Sequence, residues 1–223
     1  MARAALFDLD GTLLDSLADI GTACNQALLD HGLPPHALAR YVDFVGEGVE
    51  NLITQAMAPV PFDLAVLTAY KRLYPQQMLK LTVPYTGIEA ALTALVAAGL
   101  PLAVLSNKPH APTCALVEHF FGGTPWRAVA GHRTEVPRKP DPTSALALCA
   151  QLGVAPQDCV FVGDSAVDVA TALNAGMPSI GVGWGFRPHE AQTASYYCPA
   201  PQVLAALVQA ASPVAVVGRG VAS

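Results

Sequence analysis

The chain carries little charge. Charged residues make up 13% of its 223 positions, with 12 Lys and Arg against 17 Asp and Glu for a net charge of -5. No stripe of Lys and Arg is present, so the electrostatic footprint of a nucleic-acid binder, or of a protein held on an anionic membrane, is missing. A small-molecule partner is expected instead. Long hydrophobic runs are also missing. The most apolar stretches, 90–105 and 203–217, are interrupted by Pro101 and Pro213, which leaves each short of a bilayer-spanning helix. Paired cysteines are absent as well: Cys24, Cys114, Cys149, Cys159 and Cys198 are odd in number, far apart, and without a C-x-x-C pair or a nearby histidine at ligand spacing. That excludes a disulfide framework and a zinc site and leaves reduced, mostly buried thiols. The apolar run at Ala5-Leu6-Phe7 reads as a first core strand, leaving no room upstream for a signal peptide, so the expected location is the cytoplasm.

What is present is enough apolar material to fold, 52% of the residues, in a chain long enough for one core with a smaller domain inserted into it. Short apolar runs at 4–7, 102–105, 128–130, 159–162 and 179–182 alternate with helical patterns. That alternation predicts an α/β fold built on a parallel sheet covered by helices. Ile88, Leu92, Leu95 and Val96 share one helical face before Gly99 and the run from Leu102. The pattern repeats, with Thr143 as the expected N-cap of a helix ending at Leu152, Gly153 as its stop, and the run from Cys159 after it. Between Ser16 and about Val83 the strand pattern gives way to helix-compatible segments at 17–29, 48–57 and 62–73. This predicts a helical domain, 16–83, inserted into a core made of 1–15 and 84–223. The apolar tail from Ser212 is compatible with an edge strand or a disordered end.

Polar signals sit directly after the apolar runs, where the carboxyl ends of parallel strands gather around one crevice. Asp8-Leu9-Asp10-Gly11-Thr12 follows the first run, and a spacing of two sends both carboxylates to the same side of an extended chain. One can attack phosphorus while the other moves protons. Ser106-Asn107 follows the second run and offers a hydroxyl and an amide to phosphate oxygens. Lys139, in Arg138-Lys139-Pro140-Asp141-Pro142, can offset negative charge. Asp164, with Asp168 one turn further on, supplies hard oxygen ligands of the kind Mg²⁺ takes. Each signal alone has a plainer reading, as a turn, a helix cap or a solvated lysine. In this order, each beside a strand, they make one active site.

These four motifs resemble those of the haloacid dehalogenase superfamily, and the match covers nearly the whole chain. The resemblance implies a Rossmann-like core with a helical cap inserted after the first motif. It also implies Asp8 as nucleophile, Asp10 as general acid/base, Thr12, Ser106, Asn107 and Lys139 as substrate-binding groups, and Mg²⁺ held by Asp8, Asp164 and the Asp10 carbonyl, with Asp168 in or next to the metal shell. The superfamily's dehalogenases lack the second carboxylate, which is present here as Asp10. A phosphonate hydrolase needs a cap lysine in a suitable setting, which Lys71 and Lys80 do not offer.

Within the superfamily, Tyr41 to Ile53 with its Gly46-Glu47-Gly48 is similar to the phosphoglycolate phosphatases, which commonly have Asn where Glu47 stands. An acid there suits an anionic substrate only if it points away. Residues 183–190 resemble the same subfamily. There Arg187 is expected to orient substrate or, the preferred reading, to bond the sheet edge, and His189 to serve a turn, while Tyr41, Met57 and Tyr70 are expected in the core. The expected activity is hydrolysis of a small phosphate monoester, 2-phosphoglycolate, through an aspartyl-phosphate on Asp8. The alternatives are a sugar-phosphate phosphatase, a pyrophosphatase, a phosphomutase, or a binding module without turnover.

Overall fold

A computed structural model of the chain describes residues 1–211, and the tail from Ser212 lies outside the described residues. The strands are β1 (Ala4–Phe7), β2 (Leu14–Asp15), β3 (Val83–Pro84), β4 (Leu102–Pro109), β5 (Ala128–His132), β6 (Cys159–Gly163), β7 (Ser179–Val182) and β8 (Tyr196–Cys198). Six of them form one sheet in the order β5-β4-β1-β6-β7-β8, with every neighbouring pair parallel. Side chains alternate across a strand, and both faces here are covered. Ala5 and Phe7 join Val104 and Val162 in one buried cluster, while Ala4 and Leu6 join Ala103 and Phe161 in the other. The strands therefore read as continuous apolar runs. Chain order reverses at β1, which has β4 on one side and β6 on the other. A crevice forms beside the carboxyl end of a strand at such a switch point, and Asp8 is the first residue after β1.

The segment between β2 and β3 is helical: α1 (Leu17–Leu29), α2 (Tyr41–Phe44), α3 (Val49–Met57) and α4 (Leu64–Gln77). Helix α4 runs four residues beyond the expected stop at Leu73, passing through Pro75. Tyr41, Met57 and Tyr70 are buried as expected. β2 and β3 pair antiparallel, Leu14 with Pro84 and Asp15 with Val83, so the chain leaves for the helical segment and returns from it side by side. Fully buried Asp19 locks this base. Its carboxylate accepts hydrogen bonds from the Gln77 amide at 2.8 Å and from the backbone N–H of Leu81 and Thr82 and the Thr82 hydroxyl at 2.8 to 3.1 Å. Burial alone would raise this carboxyl, but the converging donors outweigh it and hold it below the usual carboxylate range.

The remaining helices, α5 (Ile88–Ala97), α6 (His110–Phe121), α7 (Thr143–Leu152), α8 (Ala166–Ala175), α9 (Pro188–Ala191) and α10 (Leu204–Ala210), cover the sheet. Two local details differ from expectation. Thr143 is the first residue of α7 and not its cap, because the Asp141 carboxylate, two residues earlier, accepts the Thr143 N–H at 2.9 Å. Strand β8 had no sequence signature: it is three residues long at the sheet edge and only Cys198 is buried. Among the described residues, no helix is long and apolar enough to cross a membrane.

Candidate active site

Asp8, Lys139, Asp164 and Asp168 arrive from β1, the loop before α7, the end of β6 and the first turn of α8, and all four are buried. Lys139 Nζ lies 2.8 Å from Asp8 Oδ1 and 2.6 Å from Asp168 Oδ1. Asp8, Asp164 and Asp168 each offer a carboxylate oxygen, all within 4.8 Å of one another. Glycines make this density possible. A Cβ on Gly11, which has φ +86°, would overlap the Asp164 carboxylate, and one on Gly185 would overlap the Asp164 side chain and the Gly11 carbonyl. Asp164 Oδ2 is further fixed by the Phe186 N–H at 2.7 Å. Asp168 closes a capping box with Ser165 at the start of α8.

One lysine thus faces three buried carboxylates. Burial pushes Asp8 up to about 8, with Asp168 and Asp164 adding to the effect and Lys139 opposing it. Asp164 is pushed up to about 7 by burial and then by Asp168, against the Phe186 N–H. Burial works against the Lys139 charge, but Asp168 and Asp8 more than offset that and hold it above the usual lysine range.

Asp10 points elsewhere. Its carboxylate accepts a hydrogen bond from Ser16 Oγ at 2.5 Å and ion-pairs with Lys108 Nζ at 3.0 and 2.9 Å. Asp8 and Asp10, Ser106, Asn107 and Lys108 line one small cavity of about 50 Å³, closed on its other side by apolar residues of the helical segment that include Ile20, Val49 and Leu52. Asn107 is fully committed to the protein: its Oδ1 accepts from the Lys139 N–H at 2.8 Å and its Nδ2 donates to the carbonyls of Lys139 and Gly46 at 3.0 Å. Thr12 is fully buried, its hydroxyl has no hydrogen-bond partner among the described residues, and it does not line this cavity.

A family model for haloacid dehalogenase-like hydrolases matches residues 5–182. The chain belongs to this family. The hydrolase is 37% identical over 196 residues to phosphoglycolate phosphatase of Rhodospirillum rubrum, covering 83% of this chain and 81% of that protein. It is 34% identical over 206 residues to phosphoglycolate phosphatase of Pseudomonas putida, covering 87% and 75%. Its structure resembles that of a candidate phosphoglycolate phosphatase of Lactobacillus delbrueckii subsp. bulgaricus, with a TM-score of 0.86, 30% identity, and coverage of 92% of this chain and 98% of that one.

The donor set of the hydrolase fits a hard divalent cation. Carboxylate oxygens are what such ions take, and a cation would balance the two negative charges that Lys139 leaves over. Asp168, expected in or next to the metal shell, stands with Asp8 and Asp164 in this donor set.

Three residues of the hydrolase escaped the sequence reading or moved within it. Lys108 was missed, although it follows Ser106-Asn107 directly and lines the same cavity as Ser106; its place in the polar stretch just after the run 102–105 was the available signal. Arg187 does not bond the sheet edge but donates to the Val45 carbonyl at 2.5 Å, in the loop before α3. The guanidiniums of Arg187 and Arg138 fill the space a Cβ would need at Gly46 (φ +117°) and Gly48 (φ +93°), so the Gly-x-Gly pair admits two arginines. Glu47 is exposed and does not line the cavity.

Proposed function

We propose that this hydrolase is a phosphatase for a small phosphate monoester, 2-phosphoglycolate, and that it works through an aspartyl-phosphate on Asp8. The observation that carries the reading is the buried grouping of Asp8 with Lys139, Asp164 and Asp168, with Asp10 two residues away and facing the same cavity. In this reading an Asp8 oxygen attacks phosphorus and the leaving alkoxide takes a proton from Asp10. Asp10 then removes a proton from water, the resulting hydroxide attacks the aspartyl-phosphate, and inorganic phosphate leaves with Asp8 restored. Ser106 and Lys139 hold phosphoryl oxygens, and Lys139 also lowers the repulsion between the carboxylate and the phosphate dianion. Asn107 positions Lys139 through the Lys139 N–H that its Oδ1 accepts, and the Thr12 carbonyl accepts from Trp184 Nε1–H at 3.0 Å, tying the loop after β1 to the loop after β7.

Mg²⁺ is the proposed cofactor, held by Asp8, Asp164 and the Asp10 carbonyl with Asp168 beside them, and it supplies positive charge where phosphate and nucleophile meet. We also propose residues 16–83 as the cap that covers the substrate and sets its size. The five unpaired thiols are in keeping with the cytoplasm.

The test is steady-state phosphate release from 2-phosphoglycolate, sugar phosphates and pyrophosphate, with Mg²⁺ and with EDTA. The expected result is the highest kcat/KM on 2-phosphoglycolate and loss of turnover on chelation. Full turnover in EDTA, or by Asp8→Asn, would overturn the chemistry. A preference for sugar phosphates would overturn the substrate alone.

A further inference from the structure

We propose that Lys108 is the specificity-determining residue of this site and takes the carboxylate of the substrate. The inference rests on the phosphoglycolate reading above and names the group that enforces it. Lys108 lies on β4 two residues after Ser106, its backbone N–H donates to Ser106 Oγ at 3.2 Å, and both residues line the cavity. Its side chain is only 5% exposed, and Nζ sits on the cavity wall between the Asp10 carboxylate and the face of Tyr74, 4.7 Å from the ring centroid. Among the described residues it is the one cation lining that cavity, since Lys139 lies deeper, against Asp8 and Asp168.

Two plainer explanations account for less. Asp10 does not need Lys108 to orient it, because Ser16 Oγ already donates to the same carboxylate. A purely structural ion pair would not have to face the cavity, and burying an ammonium is unfavourable unless charge of the opposite sign meets it. Chemistry explains the placement. An anionic leaving group entering here meets Asp8 and Asp10, and both repel it. In 2-phosphoglycolate the carboxylate is one methylene away from the oxygen that Asp10 must protonate. A cation already touching Asp10 is therefore within reach of that carboxylate. On the cap side the wall is apolar, and the nearby acid, Glu47, is exposed and off the lining. Lys108 is thus the group that can tell a carboxylate from a methyl.

The experiment compares kcat/KM for 2-phosphoglycolate and for ethyl phosphate, which has a methyl in place of the carboxylate, in wild type, Lys108→Met and Lys108→Arg. Removing one member of a buried charge pair is worth at least about 30-fold. Lys108→Met should therefore lose about 30-fold or more in its preference for 2-phosphoglycolate, mainly through KM, while Lys108→Arg keeps most of it. An equal loss on both substrates would overturn the proposal and leave Lys108 as a partner of Asp10 only. A wild type without preference for 2-phosphoglycolate would overturn the substrate reading, and this inference with it. The wild type alone gives a second test that does not depend on a variant folding. Glycolate should inhibit ethyl phosphate hydrolysis at about tenfold lower concentration than the uncharged glycolamide, and equal behaviour of the two would refute the role of Lys108.

Discussion

Replacing Asp8 by Asn should stop phosphate release and at the same time make the metal-free protein more stable. Burial, reinforced by Asp168 and Asp164 and opposed by Lys139, pushes the Asp8 carboxyl from 3.8 up to about 8. Because its folded pKa lies above its unfolded one, the stabilisation belongs to the protonated form. It is fully present below about pH 4 and is lost as the pH rises through about 8. Each pKa unit corresponds to about 1.4 kcal/mol, so at pH 7.5 holding this carboxyl protonated in the fold, when the unfolded chain would ionise it, costs up to about 5 kcal/mol relative to low pH. Asn removes the charge but must find its own hydrogen bonds, so about half of that, ~2 to 3 kcal/mol, should be regained. For a chain of this size that is a rise in Tm of about 4 to 12 °C. Thermal melts and urea unfolding in EDTA at pH 5 and pH 7.5 read it directly. The gap between Asp8→Asn and wild type should widen at the higher pH, and added Mg²⁺ should stabilise wild type more than the variant. If Asp8→Asn melts at or below wild type at pH 7.5 in EDTA, the electrostatic account of the site is wrong.

Lys139→Met should act in the opposite direction, since it leaves three carboxylates buried together without their lysine: a loss of about 3 to 5 kcal/mol in urea unfolding without metal, partly restored by Mg²⁺, and no measurable turnover. Gly185→Ala should cost about 2 kcal/mol or more and most of the activity, because its Cβ would meet the Asp164 Cβ and the Gly11 carbonyl, neither of which can swing aside; turnover within twofold of wild type would contradict this. Asp19→Asn should destabilise by about 2 kcal/mol at pH 7.5. The Asp19 pKa is lowered in the fold, so its stabilisation is present above the ordinary carboxylate range and fades as the pH falls below it, and the difference between variant and wild type in urea midpoint should shrink toward pH 3. Arg187→Ala, which frees the Val45 carbonyl, should raise KM for 2-phosphoglycolate several-fold more than it lowers kcat, and an unchanged KM would remove Arg187 from any role in seating that loop.

The sheet was legible wherever a strand is buried on both faces. The runs at 4–7 and 179–182 coincide with β1 and β7, and Cys159 opens β6, because complete burial demands an unbroken apolar stretch. β8 was not legible, since an edge strand of three residues is specified by the neighbour it pairs with and not by its own pattern. Site residues behave similarly. Asp8, Asp10 and Asp164 sit at strand ends, where periodicity breaks visibly. Lys108 closes the polar stretch Ser106-Asn107-Lys108 after the run 102–105, and its role follows only from Asp10 and Tyr74, 98 and 34 positions away in sequence. The Gly46-Glu47-Gly48 loop was visible as a motif, yet its partners Arg138 and Arg187 come from distant loops, so the reason for its glycines was not.

Two carboxylates two residues apart thus occupy opposite electrostatic settings. Asp8 faces two further acids and shares a single lysine with them, an arrangement that favours anything positive arriving at its oxygens. Asp10 has its own lysine and a hydroxyl, and is matched before any ligand arrives. The first setting stores unfavourable charge that a cation and a phosphoryl group can relieve, so binding energy is available where the new bond must form. The second exchanges partners: a carboxylate that draws on Lys108 does so at the expense of Asp10. A substrate whose leaving group carries no anion leaves the Asp10–Lys108 pair intact, which ties selection of the leaving group to the environment of the residue proposed to protonate it.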